Sequence, residues 1–202
     1  MSKNSFIFNI VGFSTNNDTF NPITILQKFI KNSGNNNIKS IKDNSIKFYY
    51  KLENHILNKD KLLISFHEVI KFDKKNHDIC SFADLFLIIA DLEKDDTYEK
   101  LDKIIENMKN ICDLEKTIFI LGVYTDVQNT KKELDEGNII DYLDEKKILY
   151  EYVESNVEIL KDLIRTIDFI IREGIKKIEK KIIELENNEL IESQSNSKCS
   201  IW

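Results

Sequence analysis

Short apolar segments alternate with amphipathic helical segments along most of this chain, and that alternation restricts the possible fold more than any other feature. The segments 6–11, 81–91 and 117–122 each contain an almost unbroken apolar run. Runs without a polar face are typical of strands buried on both sides in parallel sheets. Segments with apolar residues at helical spacing follow at 22–30 and 92–110. We therefore predict an α/β fold with a mostly parallel sheet and helices on both faces.

The remaining segments complete the predicted architecture. Residues 46–52 alternate like a half-exposed strand, and 62–66 is a second strand joined to it by a short polar connection, which predicts an antiparallel pair. A last strand at 148–153 brings the predicted sheet to six strands, and one long helix is expected from Asn156. We assign 1–176 to one domain. Residues 177–202 are expected to form an extended helix end and a disordered polar tail from Asn187.

A glycine and a threonine bracket the polar loop that follows the first strand. Gly12 and Thr19 have the spacing of the phosphate-binding pattern G-x-x-x-x-G-K-S/T. Asn17 stands where the second glycine belongs, and Asp18 stands where the lysine belongs. At an effective dielectric near 20, two unit charges about 4 Å apart interact by roughly 4 kcal/mol, so a carboxylate there opposes a phosphate. Asp18 and Thr19 either cap the next helix or, alternatively, the Asp18 carboxylate itself fills the anion cradle.

The order of elements and several local strings resemble the Ras-like small GTPases, most of all the Rab branch. The resemblance spans Ser5 to Ile175, and its best stretch is Phe-Ala-Asp-Leu-Phe-Leu-Ile-Ile-Ala-Asp-Leu at 82–92, followed by Thr-Tyr-Glu-Lys-Leu at 97–101. It implies a Ras-like three-layer fold of the P-loop NTPase type. It also implies that Gly12, Thr19, Asp126 and Ser155 are the nucleotide contacts if a nucleotide is bound.

Most of the family's motifs are changed in this chain. Val123 and Tyr124 replace the residues that support Asp126 in the guanine motif, and Asp126 is alternatively an ordinary loop residue. Ser155 is also a natural N-cap for the long helix, which is the interpretation we favour. Alignment of 62–66 with the family's third strand places His67, Ile70 and Lys71 at the aspartate, glycine and glutamine of the switch motif.

None of those three residues supports the family's chemistry. Imidazole is not an oxygen ligand for Mg²⁺, isoleucine lacks the backbone freedom of glycine, and lysine does not orient the attacking water as glutamine does. We therefore expect no catalytic residue, no metal ligand and no cofactor, and whether the chain is an enzyme stays open with hydrolysis disfavoured. The alternative is GTP or GDP bound with Mg²⁺.

The chain ends in Cys199-Ser-Ile-Trp202, which is similar to a C-a-a-X prenylation signal. We predict lipidation at Cys199, although one prenyl chain anchors weakly. The long helix is either a partner-binding or short coiled-coil segment, or a plain solvated extension. The other predicted partner surface is the part that corresponds to the switch region, Ile38 to Lys75.

Composition restricts partners and location. The net charge is −6 and no basic stripe with interleaved aromatic residues is present, so a nucleic-acid partner is not expected. No signal segment and no apolar run of membrane-spanning length is found, which predicts an intracellular protein in the cytoplasm or on the cytoplasmic face of a membrane.

Together these features favour a pseudoGTPase that acts as a binding module in membrane trafficking or signalling. The first alternative is a divergent small GTPase that still binds or slowly hydrolyses GTP. The second alternative is a GTPase-like structural subunit of a cytoskeletal or centromeric complex.

Overall fold

The computed structural model describes residues 7–33, 38–42, 44–51, 61–111, 117–125 and 133–198. These residues form a seven-stranded sheet in the order β2-β3-β4-β1-β5-β6-β7, with five helices. The elements are β1 Ile7–Ser14, α1 Pro22–Asn32, β2 Ile38–Lys42, β3 Ser45–Lys51, β4 Lys61–Glu68, α2 Lys74–Ser81, β5 Leu85–Asp91, α3 Thr97–Ile111, β6 Thr117–Tyr124, α4 Glu136–Glu145, β7 Tyr150–Asn156 and α5 Leu160–Lys198.

The predicted α/β architecture is confirmed. Strands β4, β1, β5, β6 and β7 pair in parallel, while β3 runs antiparallel to β4 and β2 antiparallel to β3. The antiparallel pair expected from 46–52 and 62–66 is therefore β3 with β4.

Helices cover both faces of the sheet because each is apolar along one side. Helices α1 and α5 bury Phe29, Ile167 and their neighbours against one face. On the opposite face, α3 and α4 bury residues such as Leu101 and Leu143, and Cys80 at the end of α2 joins the same core. The chain thus forms three layers, helix, sheet and helix, around two apolar cores.

The sheet has seven strands, whereas six are predicted from the sequence. The additional strand is β2, in which four of the five residues are exposed and the fifth is half-buried. An edge strand of this kind buries no regular set of side chains, so it carries no period-two apolar signal. Its pairing with β3 defines it, and that pairing is a tertiary property.

Several boundaries also differ from the prediction. Strand β1 continues through Gly12 to Ser14, and α3 begins at Thr97, because Asp91 and the turns after it precede the helix. Helix α5 begins at Leu160 and continues to Lys198 through the segment where a disordered tail is expected. No proline or glycine follows Gly174, so nothing in that segment interrupts a helix. The division of the chain at residue 176 stays a prediction.

The loop between β1 and α1 lies near the middle of the sheet, at the carboxyl ends of the parallel strands. Strand β1 lies between β4 and β5, and the chain leaves it toward α1 on one face. The segment after β4 leads to α2 on the other face. Ligands of open α/β sheets bind where neighbouring connections diverge in this way, at the carboxyl ends of the strands. None of the helices in the described ranges combines the length and apolar character needed to cross a membrane.

Candidate functional site

The candidate site is the loop from Thr15 to Asn21, which joins β1 to α1 at the point where the connections diverge. The four residues that the sequence associates with a nucleotide are distributed around this edge. Gly12 lies inside β1, Thr19 lies in the loop and Ser155 lies near the end of β7, three strands away from β1. Asp126 lies outside the described residues.

Gly12 is a packing residue of the strand rather than the first residue of a loop. It pairs with Glu68 on one side and Leu87 on the other. A Cβ atom added at Gly12 would lie 2.2 Å from Cζ of the fully buried Phe66 ring. The aromatic ring beside it therefore explains the glycine, and β1 continues for two more residues before the loop begins. A contact between Gly12 and a nucleotide stays a prediction.

The loop uses its own backbone donors internally. The N–H of Thr15 donates to the carbonyl of Ile89 at 2.9 Å, and the N–H of Asn16 donates to Ser14 Oγ at 3.0 Å. The N–H of Phe20 donates to the carbonyl of Asn16 at 2.8 Å, which closes the loop on itself. A phosphate cradle needs such N–H groups to point inward without a partner. At these three positions the donors are already occupied.

The start of α1 also offers few free N–H groups to a ligand. Pro22 occupies the first helical position, where it has no N–H to offer, and the Asn21 side chain accepts the N–H of Thr24 at 3.0 Å. Helix N-termini bind anions through N–H groups that lack a partner. Because Thr19 precedes the helix by three residues, it does not stand at the helix start as the motif requires. The helix start predicted from Asn21-Pro22 is confirmed.

Two acidic residues that were not among the predicted site residues organise the loop. Asp91, at the end of β5, is 1% exposed, and its Oδ2 accepts Asn16 Nδ2 at 2.8 Å. Its Oδ1 accepts the N–H of Glu93 at 3.0 Å, and its own N–H donates to Thr15 Oγ1 at 2.9 Å. Asp91 thus joins β5 to the loop through both its side chain, which bonds to Asn16, and its backbone N–H, which bonds to Thr15.

Glu68 plays the matching part at the end of β4. Its Oε1 accepts Asn21 Nδ2 at 2.6 Å, and the residue is 5% exposed. Burial raises the pKa of the Glu68 carboxyl above its ordinary value, while the hydrogen bond from Asn21 lowers it. We call Thr15, Asn16, Asn21, Glu68 and Asp91 the loop network. Both acids directly follow apolar strands in the sequence, and that position is the signal that marks them.

The structure also decides between the interpretations of Asp18 and Thr19. Both side chains are exposed, so the Asp18 carboxylate does not fill an anion cradle and that hypothesis is wrong. Neither residue caps α1, because the cap is Asn21. Thr19 Oγ1 instead accepts a hydrogen bond from Asn16 Nδ2 at 3.3 Å. Asn16, not Asp18, carries the side chain that fills the centre of the loop.

The segments that the resemblance assigns to guanine form hydrogen bonds with other residues of this chain. Ser155 is fully buried in β7, and its Oγ lies 3.3 Å from Asp162 Oδ2 in the first turn of α5. The N–H of Asn156 donates to the same oxygen at 3.0 Å. Ser155 is not the N-cap of α5, which begins five residues later, so that favoured interpretation is wrong. Thr125, the last described residue before Asp126, donates its N–H to Glu93 Oε1 at 2.8 Å.

The residues aligned with the switch motif have local roles. His67 lies in β4, and its Nε2 is 3.0 Å from Ser65 Oγ. Burial lowers the pKa of His67, and the positive charge of Lys47 lowers it further. Ile70 is 50% exposed and Lys71 is exposed, so neither approaches the loop network as a ligand-binding group.

The arrangement offers little to a nucleotide or a metal ion. The carboxylates of Glu68 and Asp91 would face a phosphate with negative charge, and one oxygen of Glu68 and both oxygens of Asp91 already accept hydrogen bonds. Within the ranges that the structure describes, no cluster of three or more histidine, cysteine or acidic residues is placed to hold a metal ion. Cys199, the predicted lipidation site, lies outside the described residues.

No protein-family model matches this chain, and no curated protein matches it either.

Proposed function

We propose that this chain is a Ras/Rab-like pseudoGTPase, a protein-binding module in membrane trafficking or signalling that does not hydrolyse nucleotide. The observation that carries the proposal is the loop network. Asn16 and Asn21 place amide groups on Asp91 and Glu68 at the position where a GTPase of this topology needs free backbone donors and a cation. Side chains of the same chain thus occupy the positions that a phosphate would need in this loop.

The electrostatic argument points the same way. Asp18, Glu68 and Asp91 all belong to the loop or to the strand ends beside it, and the described part of the loop contains no lysine or arginine. Phosphoryl transfer depends on cations that neutralise charge on the transferred group. A site whose charged groups are carboxylates opposes both the binding and the reaction.

The partner surfaces under this proposal are those expected from the sequence. The first is the part of 38–75 that corresponds to the switch region, which forms β2, β3, β4 and the start of α2. The second is the distal part of α5. Lipidation at Cys199 would concentrate the module at a membrane surface, with a second contact needed for stable attachment.

A ligand-dependent stability measurement on the full chain tests the proposal. A ligand present at 100 times its dissociation constant adds about 2.7 kcal/mol to the free energy of unfolding. We expect GTP, GDP and their Mg²⁺ complexes to leave the unfolding temperature unchanged. A shift that grows with the concentration of GTP or GDP contradicts the proposal and favours a nucleotide-binding GTPase.

The variant Asp18→Lys separates two obstacles to nucleotide binding, the missing cation at residue 18 and the hydrogen bonds within the loop. It restores the cation of the phosphate-binding pattern but leaves the loop network and the late helix start in place. We expect this variant also to show no nucleotide-dependent shift, because the N–H groups of Thr15, Asn16 and Phe20 remain bonded internally. The membrane part is tested separately, by mass spectrometry of the native C terminus and by membrane fractionation of Cys199→Ser.

A further inference from the structure

The face of the sheet that lies opposite α1 and α5 is partly exposed along β2 and β3, while Leu63 and Ser65 of β4 are buried there. In β3, Ile46, Phe48 and Tyr50 are fully buried against the α1 and α5 side. The residues between them point to the other face, because successive strand residues alternate. These are Lys47, which is half-buried, and Tyr49, which is 37% exposed.

The neighbouring strands place more polar groups on the same face. Residues that pair across strands share a face of the sheet. Lys42 of β2 pairs with Ser45, and Lys47 pairs with Ser65 of β4. We call this surface the basic hairpin face, and its members are Ser40, Lys42, Ser45, Lys47, Tyr49 and His67.

A cleft lies where the basic hairpin face meets α2. Its volume is about 300 Å³, and it lies between Lys42 and Ser45 on one side and Asn76 and Ile79 of α2 on the other. His67 also lines it, as does Glu68, whose Oε1 is bonded to Asn21 at the start of α1. The cleft therefore presents a lysine, a hydroxyl, an imidazole, two amides and one carboxylate beside one apolar side chain, and the carboxylate, Glu68, is already bonded to Asn21.

The charge of this surface differs from that of the rest of the chain. Residues 38–51 contain four lysines and one aspartate, in a chain whose net charge is −6. Among the described residues, no carboxylate forms an ion pair with Lys42 or Lys47. Lysines on α5 behave differently, since Lys176 pairs with Glu173 at 2.5 Å and Lys177 pairs with Glu151. Within the residues that the structure describes, the positive charges of Lys42 and Lys47 are thus available to a partner.

We propose that the basic hairpin face binds an acidic segment of a partner protein, with its carboxylates against Lys42 and Lys47 and an apolar side chain against Tyr49. The inference rests on the proposed function and names the partner chemistry of the switch-equivalent surface. Complementary charge gives specificity and speeds association, and an exposed tyrosine supplies contact area at low entropic cost. A nucleic acid or an anionic bilayer fits less well, because the net charge of −6 repels an extended polyanion more strongly than it repels a short acidic segment.

The test uses the ¹⁵N-labelled full chain at low ionic strength and a synthetic probe peptide of alternating glutamate and aspartate with one central leucine. We expect amide shifts confined to residues 40–49 and 63–67, and weakening of binding with added salt. The double variant Lys42→Gln/Lys47→Gln is expected to bind the probe about fivefold more weakly, since each exposed charge pair contributes modestly.

The matched control is Lys176→Gln/Lys177→Gln, which removes the same charge from lysines that already have partners. It is expected to bind the probe as the wild type does. Equal losses in both double variants indicate nonspecific charge attraction and overturn the proposal, as do amide shifts that map to α5 or to the loop network. Phosphatidylserine vesicles and a single-stranded oligonucleotide are run in parallel, and tighter binding of either than of the peptide also overturns it.

Failure here is distinguishable from failure of the proposed function. Nucleotide binding in the thermal-shift experiment contradicts the pseudoGTPase proposal and leaves the peptide result untouched. Absence of peptide binding, with no nucleotide-dependent shift, contradicts only the acidic-partner inference. The unfolding temperatures and amide dispersion of both double variants show whether they remain folded.

Discussion

The loop network and the basic hairpin face lie on neighbouring strands, but they differ in whether their charged side chains have partners within the chain. In the loop network, Glu68 and Asp91 each accept a hydrogen bond from an asparagine of the same chain. On the basic hairpin face, Lys42 and Lys47 have no carboxylate partner among the residues that the structure describes. A polar region that is satisfied internally stabilises the fold, while an exposed region with unmatched charge is available for recognition.

That contrast explains why the motif-bearing loop is the less promising place to look for a ligand. The loop carries the pattern that suggests a nucleotide, yet the N–H groups of Thr15, Asn16 and Phe20 are bonded within the chain. The hairpin carries no motif at all, and its first strand has no apolar alternation. The predictions below begin with the largest expected effect and test whether the two regions differ as described.

The largest effect is expected from Gly12→Ala in the strand that supports the loop. The new Cβ would lie 2.2 Å from Cζ of the Phe66 ring, which is fully buried, so the ring or the strand has to shift. Overpacking of this kind costs about 1–3 kcal/mol in the free energy of unfolding, measured by urea denaturation.

Gly137→Ala is the matched control. The Cβ added there meets only Asp135 Oδ1, at 3.4 Å, and Gly137 is an exposed residue of α4. This variant is expected to be neutral or more stable by up to about 1 kcal/mol, because alanine favours helix. If Gly12→Ala is no more harmful than Gly137→Ala, the packing explanation of Gly12 is wrong.

Asn21→Ala should have the next largest effect, because it removes two interactions of the loop network. The N–H of Thr24 loses its cap and the Glu68 carboxylate loses its donor. We expect a loss of about 2 kcal/mol, the sum of a typical cap and a buried acceptor left without a partner. Thermal and urea denaturation measure it.

The variant Asn21→Asp distinguishes the two contributions. It keeps an oxygen that can cap Thr24 but replaces the donor to Glu68 with a second negative charge. We expect it to be destabilised near neutral pH and to recover on acidification as the carboxyl groups gain protons. A variant as stable as the wild type across this range shows that the Asn21–Glu68 bond contributes nothing.

Glu68→Gln should produce a smaller change whose dependence on pH has a definite sign. Burial raises the pKa of Glu68 above its ordinary value of 4.5, so the folded state binds this proton more tightly than the unfolded state. Its contribution to stability is therefore fully present below pH 4.5 and is lost as the pH rises through the folded-state pKa.

The glutamine variant has no such titration, so its stability relative to the wild type should increase over that same rise in pH. Urea denaturation of both proteins at matched pH values measures the difference. A difference that stays constant with pH, or that changes in the opposite direction, contradicts the raised pKa.

The smallest effect is expected on the basic hairpin face itself. Lys47→Gln should change the free energy of unfolding by less than about 0.5 kcal/mol, because the side chain has no carboxylate partner among the described residues. It should raise the pKa of His67, since the charge of Lys47 is one cause of its lowered value. Burial, the larger cause, remains, so the pKa stays below 6.5.

An NMR titration of the His67 ring protons checks this prediction. Lys177→Gln is the control, because Lys177 pairs with Glu151 at the other end of the sheet and should leave the His67 pKa unchanged. An unchanged pKa in Lys47→Gln means that the positive field on this face is too weak to attract an acidic partner.

Local patterns predicted much of the architecture. Unbroken apolar runs marked the central strands, and Asn21-Pro22 marked the start of α1, because a cap and a fixed φ angle are properties of adjacent residues. The β3-β4 pair followed from alternation and a short connection. Strand β2 was missed because its only evidence is a hydrogen-bonded neighbour.

The candidate site was less predictable than the fold. Gly12 and Thr19 were selected by motif spacing and Ser155 by the family resemblance, yet Gly12 packs on Phe66 and the Ser155 hydroxyl lies beside Asp162. The residues that organise the loop, Glu68 and Asp91, are distant in sequence from their asparagine partners. Only the sheet order brings them together.

The sequence by itself determined the alternation of strands and helices and the charge at each position, because these depend on residue type and local spacing. The tertiary structure decided which charges are matched. Placing β1 between β4 and β5 brought Asn21 to Glu68 and Asn16 to Asp91. The same sheet placed the exposed Lys42 and the half-buried Lys47 on one face beside α2. A hydrogen bond or an ion pair requires its two groups to be within a few ångströms, and that distance is set by folding and not by sequence separation.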